Sequence, residues 1–167
     1  SSTRDFSQRS PYRGVNANMH AVEALLAAAD VTGDSQWRDR ALRITTNVLR
    51  WASEHEWRIP EHFNPQWRPL LEHHRDQPDH PFEPYGATVG HGLEWARLAL
   101  HLDEALGERA SGGQQPGLLE GAQALFARAV DDGWEADGAP GFVYTTDWSG
   151  EPVVRQRMHW VLAEAIS

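Results

Sequence analysis

Nine histidines stand in this 167-residue chain. Three open similar stretches: His20-Ala21-Val22-Glu23-Ala24, His91-Gly92-Leu93-Glu94-Trp95-Ala96 and His159-Trp160-Val161-Leu162-Ala163-Glu164-Ala165. Imidazole titrates nearest neutral pH, so a His delivered to a cavity can take up or release a proton there. On a helix, a carboxylate three residues on shares its face, where it can orient the ring or hold a hydroxyl. His91 lies between Gly90 and Gly92, which permit the close approach of another group. The dipole of a helix N-terminus would bias its ring towards the neutral, base-competent form. His91 and His20 are therefore candidate proton carriers. Glu94 and Glu164 are candidate hydroxyl acceptors, and Trp160 is a candidate stacking face. Structural alternatives stay open: a capping Asn16 or Asn18 with a satisfied His20 behind it, a capping His91, and a core Trp160 beside a solvated Glu164.

Glu23, Glu94 and Glu164 recur with the histidines. Two such acids could instead serve glycoside hydrolysis. Imidazole is the better proton carrier at neutral pH, so the reading favours His for proton transfer and Glu for holding hydroxyls. Metal chemistry has less support. His55-Glu56 lacks the second His of a zincin helix, and His73-His74 has no third ligand at helical spacing. No metal site is expected; His80 reads as a surface residue, His101 as structural, and His62 as a surface residue, with the lining of a cavity mouth as its alternative. The alphabet removes other chemistries. There is no cysteine, and all 15 basic residues are arginine, so thiolates, Schiff-base lysines and the P-loop lysine are excluded. A net charge of −9 argues against a nucleic-acid partner. No apolar run reaches the roughly 20 residues that span a bilayer. The polar opening, Ser1 to Ser10, has no signal-like core. No membrane partner and a cytoplasmic setting are the expectations.

A helical array must position these residues. The three His-Glu stretches are 71 and 68 residues apart, a period that holds two helices and two loops. Helical hairpins of that kind stack side by side, each burying a face on its neighbours. The first helix of each brings its His to one end, and curvature aims the histidines at a common centre. The expected class is all-α, a single domain over 1–167. Met19, Val22, Leu26 and Ala29 mark a helix from Asn16, stopped by Gly33. Trp37, Ala41, Ile44, Val48 and Trp51 mark a second, antiparallel to it. A third begins near Gly90, apolar on two sides (Leu93, Ala96, Leu100; Trp95, Leu98, Leu102, Leu106). A fourth runs from about Pro116 to Asp132, with Leu119, Ala122, Phe126 and Val130 inward, and a last starts near Arg155. Ser111–Gly113 reads as a surface turn, and 134–153 as an irregular hairpin. Residues 57–89 hold six prolines and cannot stay helical. Their Trp57, Phe63, Trp67, Phe82 and Tyr85 mark a packed, functional loop. Residues 1–14 are expected to lie across a neighbouring surface.

Three stretches carry a resemblance in order along the chain. They are Tyr12 to His20 with Glu23-Ala24; Pro84 to His91 with Glu94 to Arg97; and Gly141 to Gly150, running on to Arg157-Met158-His159-Trp160-Val161 and Ala163-Glu164-Ala165. The chain resembles the N-acylglucosamine 2-epimerase superfamily. Its His159-Trp160-Val161 form is similar to the D-mannose isomerase and sulfoquinovose-isomerase-like branch. The resemblance implies the central portion of an (α/α)6 barrel. It implies aldose–ketose isomerisation of a monosaccharide, D-mannose to D-fructose, through an ene-diol(ate), without metal or cofactor. The alternatives are sugar 2-epimerisation or a truncated sugar-binding remnant. His91 then matches one of two catalytic histidines. Asn16, His20 and Glu94 match residues that hold substrate oxygens, and Trp160 and Glu164 lie in a pocket-forming segment. The second catalytic His, expected on a later helix, has no counterpart here. The isolated chain is therefore expected to be inactive, with self-association as one way to complete the ring. Glu83 stands where many relatives are expected to carry a basic residue.

Overall fold

The computed structural model describes residues 7, 10–107 and 117–167. Its helices are α1 Val15–Thr32, α2 Gln36–Ser53, α3 Val89–Leu106, α4 Leu118–Gly133 and α5 His159–Ile166. The turn expected at Ser111–Gly113 and the helix start at Pro116 lie outside the described residues. α1 stops where the sequence places its end. Gly33 adopts φ 69°, and its N–H donates to the Ala29 carbonyl at 2.8 Å, a left-handed cap that glycine accepts without a Cβ clash. The short link to Gln36 turns α2 back along α1. α3 touches α1 and α5 as well as α4. The first helix of each hairpin (α1, α3, α5) therefore stands in one row, backed by α2 and α4.

One core joins α1 to α4 through Val15, Met19, Val22, Leu49, Trp95, Leu98, Leu102 and Leu125. A second joins Val89 and Leu93 to Phe142, Val143 and Val161. Two helices are turned from their expected faces. α2 buries Ala41, Thr45, Val48, Leu49 and Ala52, while Trp37, Ile44 and Trp51 are half-buried. α4 buries Leu118, Gly121, Ala122, Leu125 and Ala129, and leaves Leu119 and Phe126 45% and 47% exposed. Close approach decides the matter. A Cβ on Gly121 would lie 2.8 Å from Leu49 Cδ1, and one on Gly92 would lie 3.2 Å from Ala129 Cβ. Gly121 and Gly92 let the helices seat closely, and the turn of α4 that achieves this leaves Leu119 and Phe126 outward. Leu100, expected inward on α3, is also exposed. α5 starts at His159 rather than near Arg155, because 155–158 stay non-helical and Arg157 Nη1 is bonded to Asp137 at 2.8 Å.

Short strands fix the helix starts: β1 Arg13–Gly14, β2 His62–Phe63, β3 Ala87–Thr88, β4 Thr145–Thr146 and β5 Pro152–Val154. β1 pairs antiparallel with β2, Gly14 opposite His62. β4 pairs antiparallel with β3 and β5. β1 runs directly into α1 and β3 into α3. The first helical amides continue the pairing: Val15 N donates to Glu61 O at 3.0 Å and Val89 N to Tyr144 O at 3.1 Å. Below the strands, Arg58 is 4% exposed and grips Asp132, with Nε at 2.6 Å and Nη2 at 3.1 Å from its carboxylate oxygens. Among the described residues, no helix is long and apolar enough to cross a membrane.

Candidate active site

The N-terminal ends of α1, α3 and α5 open onto one hollow of about 780 Å³. Asn16, His20 and Glu23 line it from α1, His91 and Glu94 from α3, and Trp160 and Glu164 from α5. The six residues singled out from the sequence (Asn16, His20, His91, Glu94, Trp160 and Glu164) therefore meet. His159 does not join them. It is exposed and lies off the hollow, and Trp160 faces the cavity instead. His159 is the first residue of α5, whereas His91 is the third of α3, so the repeat is out of phase by helical rotation.

His91 is tightly held, with its side chain 12% exposed. Its Nδ1 lies 2.8 Å from Oε1 of Glu61, which is itself only 4% exposed. A carboxylate only accepts, so Nδ1 carries the proton. Nε2 is left to accept from Asn16 Nδ2 at 3.2 Å, on the hollow's side. Burial disfavours the charged ring. The charge and hydrogen bond of Glu61, aided by the charge of Glu94, outweigh burial and raise the His91 pKa. The dipole-driven bias to a neutral ring expected from the sequence is overridden. Glu61 was the residue missed. It enters from the proline-rich 57–89 segment, and no local spacing links it to His91.

Glu94 is 6% exposed and does not orient His91. Burial, then the charge of Glu164, holds its carboxyl above the usual carboxylate range. Arg97 donates from Nε to Glu164 Oε2 at 2.9 Å, and its Nη2 lies 3.5 Å from Glu23 Oε1. One guanidinium thus pairs with two of the three repeated acids. His20 Nδ1 is 2.9 Å from Glu23 Oε2, and that hydrogen bond lowers the Glu23 pKa.

Trp160 sits beside His91, with ring centroids 5.5 Å apart, and meets Tyr144 edge-on. A Cβ on Gly90 would lie 2.3 Å from the Trp160 ring. The close approach that the glycines flanking His91 suggested is therefore made, at Gly90, by this indole. Gly90→Ala is expected to cost about 1–3 kcal/mol through overpacking and to displace Trp160. Thermal unfolding and the near-ultraviolet tryptophan dichroism check both effects.

His62, expected at the surface, is buried. Its Nε2–H donates to Pro84 O at 2.7 Å, and its Nδ1 accepts from the Tyr12 hydroxyl at 2.8 Å. Burial lowers its pKa. Among the described residues, two groups have the donors to hold a metal ion: His20, Glu23 and Glu94 inside the hollow, and His73, His74 and Glu83 at its rim. In each, the ligand atoms lie within 4.8 Å of one another. The third donor beside His73-His74 comes from Glu83, across a loop, where helical spacing gives no signal.

The N-acylglucosamine 2-epimerase (GlcNAc 2-epimerase) family model matches residues 1–167. The chain belongs to this family. It is 55% identical over 158 residues to a D-mannose isomerase of Thermobifida fusca, covering 94% of this chain and 38% of that protein. A D-mannose isomerase of Pseudomonas cannabina pv. alisalensis is 51% identical over 164 residues, 98% of this chain and 39% of that protein. A D-mannose isomerase crystal structure aligns with a TM-score of 0.87 at 31% identity, over 98% of this chain and 40% of that one. A cellobiose 2-epimerase from Spirochaeta thermophila, at 18% identity and a TM-score of 0.68, shares the fold over 38% of its length. The chain spans about two fifths of the length of these relatives. Its helical hairpins are part of the (α/α)6 barrel of the family.

Proposed function

We propose that this family member isomerises an aldose to a ketose, D-mannose to D-fructose, with His91 as the base and no cofactor in the chemical step. The line Glu61–His91–Asn16 carries this reading. It fixes the ring, protonates Nδ1 and leaves Nε2 as an acceptor on a sugar-sized hollow. The names of the curated relatives support mannose as the substrate. With an open-chain aldose bound, Nε2 takes the C2 proton. The C–H electron pair forms the C1=C2 bond while O1 gains a proton, giving an ene-diol. Nε2 returns the proton to C1, and the O2–H electrons close the C2 carbonyl as that proton leaves. C1 is reduced as C2 is oxidised, so the step balances without an external oxidant. His20 is the second proton carrier, serving the sugar oxygens. Asn16, Glu94 and Glu164 hold hydroxyls, and Trp160 walls the cavity beside the reacting carbons. Residues 1–167 act as one domain within the barrel.

The test uses a hybrid in which residues 10–167 replace the matching stretch of the Thermobifida fusca relative. In D2O the expected product from D-mannose is D-fructose carrying deuterium at C1. D-glucose labelled at C2 would instead make the site a 2-epimerase.

Glu61→Gln is expected to move the acid limb of kcat/KM to lower pH. The wild-type His91 pKa is raised, so the base form is lost at a higher pH than for an ordinary imidazole. Gln keeps the size but removes the charge that raises it, leaving burial to lower it. The same sign governs stability. The Glu61–His91 contribution is full below the unfolded-state pKa and fades as pH rises through the folded one. A pH–rate profile unchanged in this variant would remove Glu61 from its place behind His91.

A further inference from the structure

A second group of titratable side chains lies at the rim of the hollow and takes no part in the proposed isomerisation. Rings of the 57–89 segment lie against one another in succession, the His73–His74 pair stacked and the other two pairs tilted. The centroid separations are 4.6 Å for His62–His73, 4.0 Å for His73–His74 and 4.3 Å for His74–His80. Glu83 binds three of these rings. Its Oε2 accepts from His73 Nε2 at 2.7 Å, its carbonyl oxygen accepts from His74 Nδ1 at 2.8 Å, and its N–H donates to His80 Nδ1 at 3.1 Å. A carbonyl oxygen only accepts, so His74 carries its proton on Nδ1 and keeps a lone pair on Nε2. Metal-bound histidines are held in this way, one nitrogen to the ion and the other N–H on a carbonyl or carboxylate. His73, His74 and Glu83 bring one ligand atom each to within 4.8 Å of the others. Two imidazoles and one carboxylate make the donor set of a zinc site with a position open to water. The side chains of His73 and Glu83 are 24% and 31% exposed, within reach of an ion from solvent. His62 and His80 are already committed, to Tyr12 and Pro84 and to the backbone of Glu83 respectively, and they support the ligand rings.

We propose that His73, His74 and Glu83 bind a divalent transition metal ion, zinc by donor type, which ties the 57–89 segment together at the rim. Imidazole with carboxylate favours zinc, nickel or copper over magnesium or calcium. This inference does not rest on the isomerase reading.

The test titrates zinc into the metal-free 167-residue chain by calorimetry at neutral pH, and then records X-ray absorption of the zinc-loaded wild type. The expected results are a saturable site and a spectrum with two imidazoles. His20, Glu23 and Glu94 could supply only one imidazole, so the ring count separates the two groups without any substitution. Glu83→Gln and His74→Ala are each expected to weaken this site by at least about 100-fold, since losing a direct ligand costs no less than losing a group that orients one, with circular dichroism confirming the fold. If either variant fails to fold, the wild-type ring count decides. Absence of saturable binding, one imidazole only, or unchanged affinity in both folded variants overturns the proposal.

Discussion

His91→Ala in the hybrid enzyme is expected to lower kcat for D-mannose by about a hundred- to ten-thousand-fold, the range for loss of a positioned proton carrier. kcat and kcat/KM should fall together, because the proton moves only in the transition state. The ring is held on both sides, by Glu61 at Nδ1 and by Asn16 at Nε2, a fixed placement that His20, paired with Glu23 on α1, does not reproduce. Removing it leaves the buried Glu61 carboxylate uncompensated, and His91→Gln, which offers a side-chain amide in its place, is the companion variant. Glu94→Gln should act differently. It keeps the size of a side chain expected to hold a hydroxyl, so its main effect is on KM. Loss of turnover in Glu94→Gln with His91→Ala nearly intact would turn the reading towards two-acid glycoside hydrolysis.

Asp132→Ala is expected to destabilise the fold by about 3 kcal/mol, the low end of the cost of removing a buried ion-pair partner, because Arg58 loses its two-point hold on Asp132 but keeps Glu56 at 3.0 Å. Arg58 and Asp132 have side chains 4% and 10% exposed. Arg58 also reaches the Trp148 carbonyl at 3.2 Å, and Arg128 shares the Asp132 carboxylate at 3.2 Å. The node joins the end of α4 to the turn before β5 and to the segment that delivers Glu61. Glu54→Ala is the contrast. It breaks the solvated Arg50–Glu54 pair, 42% and 52% exposed, and should cost no more than about 0.5 kcal/mol. Denaturant unfolding of the two variants reads the difference, and equal losses would dismiss the node as a source of stability.

The parts of the fold legible in the sequence are those that local periodicity controls. Met19, Val22 and Ala29 are buried on α1, and Trp95, Leu98 and Leu102 on α3. α4 was misread because hydropathy ranks Leu119 and Phe126 above Gly121, whereas the helix contact rewards the residue that lets Leu49 approach. The repeat made it legible that α1, α3 and α5 would line one hollow, but its phase differs between helices, so α5 presents Trp160 there and not His159. Glu61 is not legible, because its side-chain contact with His91 spans 30 positions and joins an irregular segment to a helix start. His62 was misread for the same reason: its partners, Tyr12 and Pro84, come from either side of the chain.

The two strand ladders hold the starts of α1 and α3 through peptide groups rather than through particular side chains. Substitutions that preserve the backbone path therefore leave Asn16, His20 and His91 in register. The long excursion between β2 and β3, which carries His73, His74 and Glu83, can drift in composition while the reacting end stays put. Descendants of one ancestral barrel can on this basis diverge in what they admit at the rim and keep one chemistry beneath it.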